Sequence, residues 1–148
     1  MIYKKALILA PHTDDGELGC GASISKMAAE GTEVYYVAFS TCRKSLPVGV
    51  PSNTLELEVK EAIELLGLKP ENLILFDFDV RDFDSQRQKI LEEIVKLKES
   101  INPDVVFLPS STDMHQDHQV IHNEGLRAFK NTTILGYEMP WNNIVFTS

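Results

Sequence analysis

Four short runs of continuous apolar residues punctuate this chain, at 6–10, 34–39, 73–76 and 105–108. Runs of that length without polar alternation suit strands buried on both faces. The stretches between them have helical character. Residues 17–29 close at Gly31, a residue suited to the turn after a helix. Residues 55–66 follow Asn53, a good N-cap type, and stop at Gly67. Residues 84–99 carry Ile90, Leu91, Ile94, Val95 and Leu97 at roughly helical spacing. A fourth helix is expected over 118–130, and a last strand over 134–137. Strands and helices in alternation imply βαβ units and right-handed crossovers. The expected fold is therefore a Rossmann-like α/β three-layer sandwich with a mostly parallel sheet, taken in the common strand order 3-2-1-4-5. The longest irregular stretch, 40–51, leaves the second strand on the same sheet edge as His12, and loops of that length tend to serve function. After Met139-Pro140 the chain has Trp141 and one more short apolar run, 144–146, and then stops without a terminal helix.

Two clusters stand at strand ends in this pattern. His12-Thr13-Asp14-Asp15 follows the first strand, and His115-Gln116-Asp117-His118 follows the fourth. In doubly wound sheets ligands bind outside the carboxyl ends of the strands, where the strand order reverses. With strands one and four adjacent at that point, the two clusters meet. Together they offer imidazoles and carboxylates for one metal ion with a spare carboxylate beside it, the equipment of metal-assisted hydrolysis.

Composition narrows the setting. At 148 residues the chain is long enough for one domain with a real core. Its net charge of −8 argues against a nucleic-acid partner. No apolar stretch is long enough for stable membrane insertion, and the start lacks the apolar length and cleavage site of a signal peptide. Cys20 and Cys42 are too few for a disulfide framework, so a cytoplasmic protein with reduced thiols is expected.

The run His12-Thr13-Asp14-Asp15-Gly16-Glu17-Leu18-Gly19-Cys20-Gly21 resembles the His-Pro-Asp-Asp signature of the PIG-L/LmbE-like deacetylases. His115-Gln116-Asp117-His118 resembles that family's His-x-Asp-His signature, and Gly136-Tyr137-Glu138 fits a third element. The resemblance covers essentially the whole chain as a single domain, 1–148, with the family's C-terminal portion expected to be mostly missing. It implies a zinc-dependent hydrolase that removes the acetyl group from an N-acetylglucosamine-type sugar conjugate. Carried over residue by residue, it implies that His12, Asp15 and His118 bind the metal and Asp14 is the general base. His115 becomes the acid or oxyanion stabiliser, and Asp117 its orienting partner, raising its pKa. Two imidazoles and a carboxylate suit zinc and leave a position for water, and ferrous iron or another divalent ion is compatible with the same ligands. The partner implied is a small amino-sugar substrate; a homo-oligomer is compatible with the sequence.

The chain departs from the family at Thr13, where proline is usual, at Gly16, where glutamate is frequent, and at Leu55, where an arginine often contacts the sugar. Arg43, Tyr137 and Glu138 are the candidate substrate contacts, with Lys44 beside Arg43, and Trp141 either stacks on a sugar or seals a subunit contact. The competing readings are an amidase of a non-sugar acyl amine and a metal- or carbohydrate-binding protein without turnover. Simpler roles are weighed for single residues. The two aspartates could cap the following helix. His122, four residues after His118, reads as a packing residue rather than a ligand. Gly16, Gly19 and Gly21 read as helix-packing positions, Cys20 as a small buried residue and Cys42 as a free thiol near the site.

Overall fold

A computed structural model describes residues 3–143; the apolar run at 144–146 lies outside the described residues. The elements alternate as β1 (Lys5–His12), α1 (Asp15–Ala29), β2 (Glu33–Ser40), α2 (Thr54–Leu65), β3 (Leu73–Leu75), α3 (Arg87–Ile101), β4 (Val105–Pro109), α4 (Gln116–Ala128) and β5 (Thr133–Tyr137). The strands form one sheet in the order β3-β2-β1-β4-β5. Every pairing is parallel, including Ile8 with Phe107 between β1 and β4 and Leu108 with Gly136 between β4 and β5.

Each central strand is buried on both sides, which explains its unbroken apolar run. Along β1, Ala6, Ile8 and Ala10 face one core, where Cys20 and Ile24 of α1 and Val59 and Ile63 of α2 pack with them. Leu7 and Leu9 face the other, against Ile90 and Ile94 of α3 and Val120 and Ile121 of α4. This is the period-two alternation of a strand serving two cores at once. Gly31 and Gly67, just past α1 and α2, have φ of +89° and +83°, the left-handed turn that glycine makes without strain.

The helices begin and end within a few residues of the expected limits. Residues 84–86 form a single 3-10 turn ahead of α3. Helix α1 starts at Asp15 rather than at residue 17, so the first aspartate pair straddles the helix start. Since α1 packs on one face of the sheet and α4 on the other, the switch between β1 and β4 opens a crevice at their carboxyl ends.

Candidate active site

His12 is the last residue of β1, and its two ring nitrogens face different carboxylates. Nδ1 lies 3.0 Å from Oδ2 of Asp15, at the first turn of α1. Nε2 lies 3.0 Å from Oδ2 of Asp117, in the first turn of α4. His118, one residue further along α4, brings its Nε2 to 3.2 Å from the same Asp15 oxygen and 3.3 Å from His12 Nδ1. Its other nitrogen, Nδ1, lies 2.7 Å from Oδ2 of Asp113. Asp15, Asp113, Asp117, His12 and His118 are all buried.

His12 Nδ1, Asp15 Oδ2 and His118 Nε2 thus form a nearly equilateral triangle. Donors held about 2.0–2.1 Å from one tetrahedral ion stand about 3.3 Å apart, so this spacing fits a metal without rearrangement. Behind the triangle, each ring's remaining nitrogen meets a carboxylate, the arrangement that orients histidine ligands in metal sites. His115 offers a further nitrogen: His12, His115 and His118 each have a ring nitrogen within 4.8 Å of the others. The carboxylate of Asp15, at 3.0 Å from His12 Nδ1 and 3.2 Å from His118 Nε2, also lies within that span.

The electrostatics follow from these contacts. Burial disfavours the imidazolium of His12, but the carboxylates of Asp117 and Asp15 outweigh it and raise its pKa. Burial opposes the charge of His118 as well, yet Asp113 and Asp15 push it up to about 9. Burial would raise the pKa of Asp15; His118 and His12 instead hold it well below the usual carboxylate range. Asp117 is likewise lowered against burial, by His12 and by the Arg81 N–H, which donates to its Oδ2 at 2.6 Å.

Neither aspartate caps α1 with its side chain. The N–H groups of Gly16 and Glu17 donate to the hydroxyl of Tyr36, at 3.0 and 3.2 Å, and that hydroxyl donates to the Thr13 carbonyl at 2.9 Å. A tyrosine of the neighbouring strand β2 therefore takes the capping duty. Asp15 turns back to accept the His12 N–H at 2.8 Å. Asp14, the residue before the helix, is exposed, and its carboxylate makes no hydrogen bond among the described residues. Gly16 is required by the same cap, because a Cβ there would stand 2.7 Å from Cε2 of Tyr36.

The family described as PIG-L: GlcNAc-PI de-N-acetylase matches residues 7–129. The chain belongs to the PIG-L family. It is 29% identical over 142 residues to the uncharacterized deacetylase YaiS of Escherichia coli, covering 93% of this chain and 75% of that protein. It is 29% identical over 124 residues to the diacetylchitobiose deacetylase of Thermococcus kodakarensis, covering 78% of this chain and 45% of that one. Among solved structures, the N,N'-diacetylchitobiose deacetylase of Pyrococcus horikoshii superposes with a TM-score of 0.79 at 21% identity, over 91% of this chain and 60% of its own. The chain thus spans about half to three quarters of the length of these PIG-L relatives.

The structure brings His12, Asp14, Asp15, His115, Asp117 and His118 to one sheet edge, as the strand order requires. It corrects the expected task of Asp117. The carboxylate points to His12, Arg81 N–H and Phe83 N–H rather than to the His115 ring. Only the backbone N–H of Asp117 reaches His115, donating to Nδ1 at 3.2 Å as the imidazole caps α4. His115 consequently has its pKa lowered, not raised: burial and the neighbouring rings of His118 and His12 outweigh the more distant carboxylates. With Nδ1 accepting, Nε2 carries the proton of the neutral ring.

Of the expected substrate contacts, Tyr137 needs correction as well. Tyr137 is buried, donates its hydroxyl to the Leu9 carbonyl at 3.0 Å and lies so close to Gly19 that a Cβ there would clash with its ring. It is a core residue, because β5 ends directly beneath α1. Arg43 is half-exposed and pairs with Asp77 at 3.3 Å and Glu56 at 3.8 Å. Lys44 is likewise paired, with Asp79 at 2.7 Å. Glu138 and Trp141 are exposed beyond β5. His122 is held by the Pro109 carbonyl at 2.8 Å, a packing role. Cys20 and Cys42 are buried thiols pushed up to about 12 and about 11 by burial, hence poor nucleophiles at neutral pH. Two residues escaped sequence reasoning. Asp113 lies outside the four-residue cluster, though its position two before His115 was a signal. Tyr36 reads in sequence as one more core aromatic.

Proposed function

We propose that this chain is a divalent-metal-dependent N-deacetylase of a small N-acetyl amino-sugar conjugate, releasing acetate and the free amine. The carrying observation is the tetrahedrally spaced triangle of His12 Nδ1, Asp15 Oδ2 and His118 Nε2 beside two unengaged polar groups. Those groups are the Asp14 carboxylate and the His115 Nε2, neither of which is hydrogen-bonded among the described residues. Membership of the PIG-L family and the deacetylase relatives support the reaction class, and the chitobiose deacetylases support the sugar.

Two imidazoles and a carboxylate suit zinc, with ferrous iron accepted by the same donors. When bound, such an ion supplies Lewis acidity to the acyl carbonyl and makes water a stronger acid. Asp14, exposed at the start of α1, takes the proton of the attacking water. His115 donates from Nε2 to the oxygen on which negative charge develops, its ring fixed by the Asp117 N–H. Asp117 and Asp113 hold the two ligand rings from behind. A proton returned from Asp14 or His115 lets the amine leave. No helix among the described residues is long and apolar enough to cross a membrane. The free thiols Cys20 and Cys42 suit a reducing compartment, and on that ground we propose the cytoplasm.

The test is acetate release from N-acetylglucosamine conjugates, diacetylchitobiose and non-sugar acetamides, after loading with zinc, ferrous iron or cobalt. Turnover on the sugars that is lost on chelation and restored by metal is the expected result. A chain holding about one equivalent of metal that releases no acetate from any of these refutes the reading.

A further inference from the structure

We propose that Asp113 is a positioning residue whose single buried carboxylate fixes both the metal-facing nitrogen of His118 and the place of His115; this rests on the metal-dependent reading above. Asp113 is 1% exposed, in the loop between β4 and α4. Its Oδ2 meets His118 Nδ1 at 2.7 Å, and its Oδ1 accepts the His115 N–H at 2.9 Å. Its own backbone is held in turn: the N–H donates to the Ser110 carbonyl at 3.2 Å, and the carbonyl accepts from Gln119 Nε2 at 3.2 Å.

An ionised carboxylate only accepts, so the hydrogen on His118 Nδ1 is the one that makes this contact. In the neutral ring that binds a metal, the lone pair is then on His118 Nε2, on the side where His12 Nδ1 and Asp15 Oδ2 lie. The second oxygen acts on a different residue. His115 stands at the N-cap of α4 in extended conformation, and its ring centroid lies 4.6 Å from that of His118. Anchoring its N–H sets where Nε2 of that ring sits relative to the ligand triangle. One rigid group therefore couples the metal ligand to the proton donor.

Asparagine, although nearly the same shape, cannot do both tasks. With its oxygen toward His118, its NH₂ confronts the His115 N–H, donor against donor. With its oxygen toward His115, its NH₂ confronts His118 Nδ1 and drives the imidazole proton onto Nε2, leaving no lone pair there for a metal.

Zinc and cobalt affinities of wild type and Asp113→Asn, read by competition with a chromophoric chelator, test this. The variant should bind about 10–100-fold more weakly. At saturating zinc its kcat should still fall, and that loss should vanish in a His115→Ala background, which a merely structural role would not produce. A variant that binds within about twofold of wild type overturns the proposal. Should the variant not fold, the wild type alone decides. A long-range ¹H–¹⁵N spectrum of the zinc-loaded protein must show His118 protonated at Nδ1, and protonation at Nε2 overturns the proposal. Zinc binding without acetate release would refute the deacetylase reading and leave the role of Asp113 standing. A wild type that takes up neither metal overturns both.

Discussion

Replacing Tyr36 by phenylalanine removes one oxygen atom from a fully buried position and should unsettle the start of α1. That oxygen accepts the N–H groups of Gly16 and Glu17 and donates to the Thr13 carbonyl. Each hydrogen bond contributes about 0.5–1.5 kcal/mol net, so losing all three should cost about 2–4 kcal/mol. For a domain of this size each kcal/mol shifts Tm by about 2–4 °C, so a fall of about 5–15 °C is expected. Urea and thermal unfolding, monitored by circular dichroism, measure both quantities. Tyr35→Phe is the control, because Tyr35 is the next residue on the strand but packs against the opposite core. The affected turn carries Asp14 and Asp15, so zinc affinity should weaken alongside stability. If Tyr36→Phe unfolds within about 0.5 kcal/mol of wild type, as surface substitutions do, the hydroxyl is not the cap of α1 and the reasoning fails.

Asp14→Asn should retain bound zinc while kcat falls about 10²- to 10⁴-fold, measured by acetate release; an undiminished kcat removes Asp14 from the reaction. Asp117→Asn should weaken zinc binding about 10–100-fold by freeing His12 Nε2 from its charged partner, seen in chelator competition. Arg43→Ala should leave KM for an amino-sugar substrate within about twofold, since its guanidinium is tied to Asp77 and Glu56. His122→Ala should leave metal content unchanged by elemental analysis, because the ring bonds to the Pro109 carbonyl rather than to the site.

The alternation of strands and helices was legible from the spacing of apolar runs, and the common doubly wound order 3-2-1-4-5 then brings the two clusters together. Three of the four unbroken runs are strands buried on both faces, the fourth being the half-buried edge strand β3, and adjacency of β1 and β4 brings His12 and His118 together whatever the loops do. Partner choice within the cluster was not legible. Sequence proximity suggested that Asp117 serves His115, but the first turn of a helix points side chains two apart in different directions. Asp117 therefore faces β1 while His115 folds over the helix end. The burial of Tyr137 was hidden for a related reason. The sequence pattern cannot tell whether a tyrosine at a strand end turns inward under a glycine, or that an arginine meets one acid on α2 and another just beyond β3. The gap at Gly16 and its filler Tyr36 lie on separate elements, a pairing only the fold shows.

The choice between capping and metal binding for the paired aspartates turns on charge. Three carboxylates, of Asp15, Asp113 and Asp117, lie buried around His12 and His118. Buried anions without compensation are among the costlier features a fold can carry. Helix capping would require no such concentration, and here a neutral tyrosine hydroxyl supplies the cap. The demand for positive charge shows in the raised pKa of His12 and in that of His118 at about 9, each lifted by the acids despite burial. A divalent cation at the centre of the donor triangle answers the same demand, with both rings already turned to offer it a nitrogen. The aspartates behind the rings then keep their partners, and Asp14, left outside the buried set, keeps its carboxylate free for a proton.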